Sequence, residues 1–471
     1  MVVENVLTVL HRGGIPVPAP CGGKGICGKC IVIVEGKKCL ACQTAYDESM
    51  TNIEVEGAKK MLVVSDYVEM MGIDNDDISP PYVLAIDIGT TTLAFELLSM
   101  SGAKKAVYSS INSQHVFGAD VVTRISKALE GNAAKLNAYI IEDISTGIAE
   151  IIKIADIKRE EISRIGIVGN TTMLHLLRNL PCDTLGVYPF TPVTLAAHRQ
   201  DFDGIDTLIL PGISTFVGAD ITAGISFCRW GKTDNASLLI DLGTNGELAL
   251  FTQDKILVTS TAAGPAFEAG NISQGVGSIS GAIARVNYLP KSNVFIYETV
   301  GESLKDNPVG ICGTGVIDIT AELIRHNLVD ETGRLEDESD GVMITKDIAF
   351  TQKDIREVQL AKSAVRSGIE ILLEEAGLKY EDISKVFLAG GFGYHINVAS
   401  AATLGLIPAP LKNKVQAIGN AALGGCAKTL LNPASEQALD IITATAKEIN
   451  LATHPRFNTL FMEYMGMETE L

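Results

Sequence analysis

Apolar runs that end in short glycine-containing turns divide this chain into segments. The first long run begins at Tyr82 and ends in Asp87, the turn Asp87-Ile-Gly-Thr-Thr-Thr92 follows, and a second apolar run continues to Leu98. Short apolar runs bounded by turn residues are typical of buried strands, so this stretch predicts two antiparallel strands joined by a tight turn. A near copy spans Leu238–Phe251 around Asp241-Leu-Gly-Thr-Asn-Gly246. Two such hairpins indicate a duplicated domain.

Further patterns extend the repeat, because each hairpin is followed by a third strand, a helix, a parallel strand and another helix. The predicted elements of the first half are strand 105–110, helices 121–129 and 136–154, strand 164–168 and helix 173–180. Those of the second half are strand 256–260, a helix opened by Ile311–Asp318, helix 353–375, and strands 386–389 and 415–418. Alternation of strands and helices predicts an α/β fold.

A small cysteine-rich unit precedes these halves. A short helix, 3–12, leads to Cys21-Gly-Gly-Lys-Gly-Ile-Cys27-Gly-Lys-Cys30, then a strand at 31–34, a turn at 35–36, and Cys39-Leu-Ala-Cys42. Glycine permits the positive φ and close backbone approach that a thiolate cluster requires. The spacing favours a 2Fe–2S cluster held by Cys21, Cys27, Cys30 and Cys42, with Cys39 spare. Zinc is the alternative, because the chain has two C-x2-C pairs.

Composition narrows the function classes. The chain has 471 residues, enough for two or three folding units, and 38 basic against 56 acidic residues, a net charge of −18. Such a balance argues against binding to nucleic acid or anionic membranes.

No apolar run reaches the roughly 18 residues of a membrane span, and the first residues lack a basic signal-peptide region. Unevenly placed cysteines favour a cytoplasmic chain. The scattered Cys182, Cys228, Cys312 and Cys426 are expected to be buried, and His175 to be a packed core residue.

The two Asp-x-Gly-Thr turns are suited to phosphate, because backbone N–H groups and hydroxyls face outward beside an aspartate that is available for a metal ion. Together with Leu388-Ala-Gly-Gly-Phe-Gly393 they resemble the phosphate and adenosine motifs of the acetate and sugar kinase, Hsp70 and actin superfamily. With the cysteine loop added, the chain resembles the reductive activators of corrinoid-dependent enzymes. Other matching segments are Phe117–Arg124, Gly169–Met173, Gly264–Glu268, Gln352–Lys362 and Gly419–Leu423.

This resemblance implies two RNase H-like, actin-like ATPase halves around a nucleotide cleft, preceded by a ferredoxin-like β-grasp unit. That unit is truncated, since only 20 residues precede Cys21 and the Cys30–Cys42 segment is shorter than usual for the family. The predicted domains are a ferredoxin-like 2Fe–2S domain at 1–57, a linker at 58–81, and ATPase subdomains at 82–232 and 233–471. The linker pattern includes a short helix at 58–71.

The resemblance also assigns roles to residues. Asp87 and Asp241 would face each other across the cleft and hold Mg²⁺ against the phosphates of ATP, and Glu247 would orient the hydrolytic water. The implied phosphate and nucleoside contacts are Gly89, Thr90, Thr91, Thr92, Gly243, Thr244, Asn245, Gly246, Gly390, Gly391, Phe392 and Gly393.

The implied function is ATP-dependent reductive activation, in which the 2Fe–2S cluster passes one electron to cob(II)alamin of a corrinoid protein and regenerates cob(I)alamin for methyl transfer. The expected partners are that corrinoid protein and a low-potential electron donor, and a homodimer is the expected assembly. The alternatives are a small-molecule kinase, an activator of 2-hydroxyacyl-CoA dehydratases with the same ATPase fold, and a redox-sensing module that does not turn over ATP.

Overall fold

The structure is a computed structural model of the chain. It describes residues 4–12, 17, 25, 30–47, 50, 52–55, 77–228, 235–243, 245–301, 308–336, 340–390 and 396–467. The predicted linker helix at 58–71 lies outside the described residues. So do Cys21, Cys27, Thr244, Gly391, Phe392 and Gly393.

The N-terminal unit is a helix packed on a three-stranded antiparallel sheet. Its elements are α1 (Val6–Arg12), β1 (Ile31–Val34), β2 (Lys37–Leu40) and β3 (Ile53–Val55), in the sheet order β2-β1-β3. The helix begins at Val6 rather than at the predicted residue 3, because the Asn5 side chain accepts a hydrogen bond from the Thr8 N–H (2.9 Å). The predicted strand at 31–34 is confirmed.

The first large sheet has six strands in the order β6-β5-β4-β7-β9-β8. They are β4 (Tyr82–Ile88), β5 (Thr92–Ser99), β6 (Lys104–Ile111), β7 (Ile162–Gly169), β8 (His198–Phe202) and β9 (Ile205–Ile209). The predicted hairpin is β4–β5, and β7 runs parallel to β4. Nearly every residue of β4 is buried, as expected for a central strand covered on both faces.

The second large sheet repeats this arrangement in the order β19-β18-β10-β11-β12-β20. Its strands are β10 (Ala236–Leu242), β11 (Gly246–Phe251), β12 (Ile256–Thr261), β18 (Ile383–Ala389), β19 (Val415–Gly419) and β20 (Ala446–Glu448). In both sheets the third, second, first and fourth strands of the half are neighbours in that order, and the next strand is β9 in the first sheet and β19 in the second. The predicted duplicated α/β fold is confirmed.

Two small sheets are inserted into the second half. One has the order β14-β13-β15 and the other pairs β16 with β17. Their bounds are β13 (Ala282–Leu289), β14 (Val294–Thr299), β15 (Gly310–Ile311), β16 (Gly341–Met343) and β17 (Ala349–Thr351). The sequence patterns did not predict these insertions.

Helices cover the faces of both large sheets. Those of the first half are α2 (Val121–Lys127), α3 (Ala133–Ala155), α4 (Thr171–Leu177) and α5 (Ala219–Cys228). Those of the second half are α6 (Gly313–Arg325), α7 (Gln352–Ala376), α8 (Val398–Thr403), α9 (Ala421–Leu431), α10 (Ala434–Thr445) and α11 (Phe457–Glu463). The predicted helix 121–129 ends at Lys127, where a wide turn follows through Gly131 with φ 91°. None of the described helices is long and apolar enough to cross a membrane.

The two halves exchange helices. Helix α9, from the second half, packs on β4 and β7 of the first sheet, and α5, from the first half, packs against the second sheet. The helices cross so closely that a Cβ at Gly425 would lie 2.1 Å from the Ala223 carbonyl oxygen. This crossing joins the halves beside the ends of β4 and β10, which carry the predicted site residues.

Candidate nucleotide cleft and cluster site

Two of the four predicted cluster ligands are brought together in the N-terminal unit. Cys30 and Cys42 are buried, and their sulfurs are 3.2 Å apart. Gly25, from the cysteine-rich segment, has φ 76°, and a Cβ there would lie 2.5 Å from Gln43 Nε2, so Gly25 lies against the residue that follows Cys42. Converging thiols beside a positive-φ glycine fit a thiolate cluster. Within the described residues, no group of three His, Cys, Asp or Glu side chains converges to hold a metal ion.

In the first half, Asp87 lies at the end of β4 opposite Ala94 and Val168. The turn after it is closed by the Gly89 N–H, which donates to the Thr92 carbonyl at 2.9 Å. A Cβ at Gly89 would lie 2.8 Å from that same oxygen, so the turn requires glycine. Thr90, Thr91 and Thr92 are half-buried within it.

Buried polar side chains hold this turn from behind. The Arg124 guanidinium donates to the carbonyls of Thr90 (2.5 Å) and Gly118 (3.0 Å). Asn112 donates to the Gly89 carbonyl through Nδ2 (2.8 Å) and to the Thr91 carbonyl through its backbone N–H (3.0 Å). Burial lowers the pKa of Arg124 to about 10, so it stays charged at neutral pH. The Phe117–Arg124 motif therefore supports the turn, a role that the sequence patterns did not reveal.

In the second half, Asp241 on β10 lies opposite Glu247 on β11 and beside Ala389 on β18. The Gly243 N–H donates to the Asn245 carbonyl at 2.9 Å and closes the turn. Gly246 is buried, and a Cβ there would lie 2.7 Å from Thr261 Oγ1 and 2.9 Å from Val365 Cγ2. Packing against helix α7 therefore accounts for this glycine.

The turn after β18 reaches the same place. Gly390 has φ 102°, and a Cβ there would lie 2.3 Å from the Leu242 carbonyl and 3.0 Å from Asp241 Oδ1. Only glycine allows the two turns to approach this closely. Gly390, the first glycine of the predicted adenosine motif, thus lies against the second phosphate turn.

Five carboxyl groups cluster where the halves meet. Three of them are the predicted Asp87, Asp241 and Glu247. The structure adds Asp220, in the first turn of α5, and Glu268. Burial raises the pKa of Asp87 to about 6, and burial together with repulsion from neighbouring carboxylates raises that of Asp220 to about 7 and that of Asp241 to about 8. The pKa of Glu247 is also well above its ordinary value. The repeated triplet Gly-Ala-Asp, at 118–120 and 218–220, was the available signal for Asp220.

One side chain links this cluster across the halves. Asn420, at the N-cap of α9, donates from Nδ2 to Asp87 Oδ2 at 2.8 Å, and its Oδ1 accepts from the Leu423 N–H at 2.8 Å. In the first half, Asn170 caps α4 and donates to Thr90 Oγ1 at 3.0 Å. The first turns of α4 and α9 are thus each held by an asparagine.

The donor set fits Mg²⁺ and a nucleotide. Each acidic side chain of the cluster offers carboxylate oxygens as metal ligands, and a bound cation would relieve the repulsion that helps to raise these pKa values. Mg²⁺ keeps several waters and usually takes one or two carboxylates plus substrate phosphates, so it does not require three converging side chains.

His175 and the scattered cysteines are buried, as predicted. His175 is buried, donates from Nδ1 to the Thr171 carbonyl (2.8 Å), and accepts from the Val193 N–H at Nε2 (3.1 Å). Cys182, Cys228, Cys312 and Cys426 are all buried.

These features define a class of protein: an ATPase of the actin-like ASKHA fold joined to a small thiol-bearing ferredoxin-like unit. Comparison with known families agrees. Residues 235–470 match the family described as the C-terminal domain of RACo, the ASKHA domain, and residues 82–233 match the RACo middle region. Residues 18–78 match a 2Fe-2S iron-sulfur cluster binding domain, which favours the iron–sulfur cluster over zinc.

Comparison with individual proteins narrows the family to which the chain belongs. It is 30% identical to the corrinoid activation enzyme RamQ of Eubacterium limosum, over 95% of this chain and 94% of that protein. It is 26% identical to the Co(II) methylated amine-specific corrinoid protein reductase of Methanosarcina barkeri, over 81% and 76% of the two chains. A solved structure of a reductive activator for a corrinoid, iron–sulfur protein superposes with a TM-score of 0.76 at 26% identity, covering 99% of this chain and 96% of the other. The chain belongs to this family of corrinoid reductive activators.

Proposed function

We propose that this protein reactivates a corrinoid protein at the expense of ATP, by passing one electron to cob(II)alamin and so regenerating cob(I)alamin for methyl transfer. The observation that carries the proposal is the pairing of two sites in one chain: thiols 3.2 Å apart in the N-terminal unit, and a carboxylate cleft shared by both ATPase halves. The names of the two curated relatives, a corrinoid activation enzyme and a corrinoid protein reductase, point to the same substrate.

Cys30 and Cys42 would bind a 2Fe–2S cluster together with Cys21 and Cys27. Such a cluster, when bound, accepts and releases one electron at a time. Cys30 and Cys42 are 1% and 5% exposed, so both thiols are shielded from water by the surrounding protein. Cys39, half-buried on β2 and paired with Val32, is not needed as a ligand.

Asp87 and Asp241 would hold Mg²⁺, directly or through water, against the phosphates of ATP. The Gly89–Thr92 and Gly243–Gly246 turns would bind the phosphates through backbone N–H groups and hydroxyls. Glu247, beside Asp241 on the neighbouring strand, would orient the hydrolytic water. Because these residues come from both halves, nucleotide binding favours a closed arrangement of the halves.

The free energy available from closure of the two halves is comparable to the potential difference that an unfavourable one-electron transfer must overcome. A bias of about 5.5 kcal/mol inverts a two-state population, and for one electron about 59 mV corresponds to a tenfold change in equilibrium constant, so the bias covers roughly 230 mV. Such a bias would act on the docked corrinoid protein, which receives the electron from a low-potential donor by way of this chain.

The test is ATP hydrolysis by the full chain in the presence of candidate stimulants. We expect a Co(II) corrinoid protein to stimulate hydrolysis and sugars to have no effect. A small-molecule kinase would instead respond to its acceptor, and a redox-sensing module would not turn over ATP under any of these conditions. Capture from native extract would name the corrinoid partner, and light scattering of the purified chain would test the expected homodimer.

A further inference from the structure

One side chain of the N-terminal unit is aimed at a predicted cluster ligand without being a ligand itself. Gln43 donates a hydrogen bond from Nε2 to Cys42 Sγ at 3.8 Å. Cys42 is 5% exposed, whereas Gln43 is an exposed residue. The amide therefore reaches from the surface of the unit to a buried sulfur.

The backbone around this contact is held by hydrogen bonds from outside the turn. Gln43 ends a short turn of 3-10 helix, in which the Ala41 N–H donates to the Cys30 carbonyl at 2.7 Å. At the start of α1, Asn5 donates from Nδ2 to the Cys42 carbonyl at 3.2 Å. These bonds join the turn to the strand that follows Cys30 and to the helix, so the place of Gln43 beside the thiol is fixed by the fold of the unit.

Gly25, in the cysteine-rich segment, packs directly on the Gln43 amide. A Cβ at Gly25 would lie 2.5 Å from Nε2 and 2.7 Å from Cδ of Gln43, and the glycine has φ 76°. Only glycine leaves room for the amide with this backbone. Because the contact restricts the rotamers of Gln43, less side-chain entropy is lost when the hydrogen bond to sulfur forms.

A donor to a ligand sulfur affects the two oxidation states of an iron–sulfur cluster unequally. Reduction adds one negative charge, and a hydrogen bond to a more negative acceptor is stronger. The donor therefore stabilises the reduced state more than the oxidised state and raises the reduction potential. Hydrogen bonds to the sulfurs are among the features that set the potentials of such clusters.

We propose that Gln43 raises the reduction potential of the 2Fe–2S cluster by donating this hydrogen bond to the Cys42 thiolate; the assignment rests on the proposed cluster site. The bond makes the cluster easier for the external donor to reduce and a weaker reductant toward cob(II)alamin. It thereby enlarges the unfavourable step that ATP is proposed to cover. Gln43 is not a ligand, so its replacement leaves the ligand thiols in place.

The test is a redox titration of the full chain, in which electron paramagnetic resonance follows the reduced cluster. Gln43→Met keeps the length of the side chain and removes its N–H donors, and Gln43→Glu also adds a negative charge. In Gln43→Met we expect the equilibrium constant for reduction to fall about three- to tenfold, which corresponds to a potential lower by about 30–60 mV. The potential should fall further in Gln43→Glu, because a nearby negative charge opposes the addition of an electron.

Asn52→Leu is the matched control. Asn52 is also an exposed amide of the N-terminal unit, but its carbonyl accepts from the Glu35 N–H at 2.9 Å, at the end of β1 that is far from Cys30. This variant should keep the wild-type potential.

The inference is wrong, while the cluster assignment stands, if Gln43→Met keeps the wild-type potential or if Asn52→Leu lowers it as much. Loss of the cluster in Gln43→Met would also contradict it, because Gln43 would then be needed to hold the cluster. If the wild-type chain shows no visible absorption of a 2Fe–2S cluster after anaerobic reconstitution with iron and sulfide, the inference and the proposed electron transfer are both wrong.

Discussion

The hydrogen bond from Asn420 to Asp87 gives the sharpest prediction about the cleft, because it joins the second half to the carboxylate of the first. Burial raises the pKa of Asp87 to about 6, and this bond is the interaction that opposes the rise. A hydrogen bond to a charged group contributes about 1.5–3 kcal/mol, and one pKa unit corresponds to about 1.4 kcal/mol. Asn420→Ala should therefore raise the pKa of Asp87 by about one to two units.

Mg²⁺ binding requires Asp87 to be ionised, and this determines in which direction the pH profile of ATP hydrolysis moves. A higher pKa keeps Asp87 protonated to a higher pH, so the acid limb of kcat/KM for ATP hydrolysis should move upward by about one unit or more. Asn420→Asp should move it further, since it replaces a donor with a like charge while Asp still caps α9.

Asn170 supplies the matched control. It also caps a helix at the cleft, but its Nδ2 donates to the Thr90 hydroxyl and not to a carboxylate. Asn170→Ala should cost a similar amount of stability through the lost cap and leave the acid limb where it is. The reasoning would be refuted if the Asn420 variants hydrolyse ATP with the wild-type pH profile, or if Asn170→Ala shifts the limb by as much.

Three further predictions concern the supporting residues. Arg124→Ala leaves the half-buried Thr90 carbonyl and the buried Gly118 carbonyl without their donor, and should lower the unfolding free energy by about 3 kcal/mol, measured by calorimetry against an Arg159→Ala control at a half-buried position near the surface. Asp241→Asn should stabilise the nucleotide-free chain by about 2–4 kcal/mol at pH 8 and by little near pH 4, because a raised carboxyl pKa costs stability progressively as pH rises from about 4 to about 8; equal effects at both pH values would contradict this. Cys42→Ser should abolish visible absorption of the iron–sulfur cluster without changing nucleotide affinity, whereas Cys39→Ser should retain the absorption.

The central hairpins could be predicted from local sequence, because a continuous apolar run followed by Asp-x-Gly-Thr leaves few alternatives to a buried strand and a tight turn. Helix α5 could not: nine of its ten residues are buried, so it has no polar face to give a helical period. Strands β8 and β9, at one end of the first sheet, were missed because their residues are polar or alternate, which is also typical of loops.

The site was predictable only in part, for a related reason. Asp87 and Asp241 stand in motifs, whereas Asp220 becomes a member of the cluster only because α5 crosses to the second sheet. The exchange of α5 and α9 likewise brings Asn420 to Asp87, 333 residues away along the chain. Contacts that depend on such a crossing leave no periodic pattern in the sequence.

The coupling of ATP to electron transfer is tested most directly by the reduction of a Co(II) corrinoid protein by the full chain and a weak one-electron donor, with and without ATP. The readout is the absorption of cob(I)alamin. We expect reduction to require ATP in the wild-type chain and to be lost in Asp87→Ala, although that variant keeps its iron–sulfur absorption. Catalytic reduction that persists in Asp87→Ala with the same donor, while its ATP hydrolysis is abolished, would contradict the coupling of the cleft to the electron.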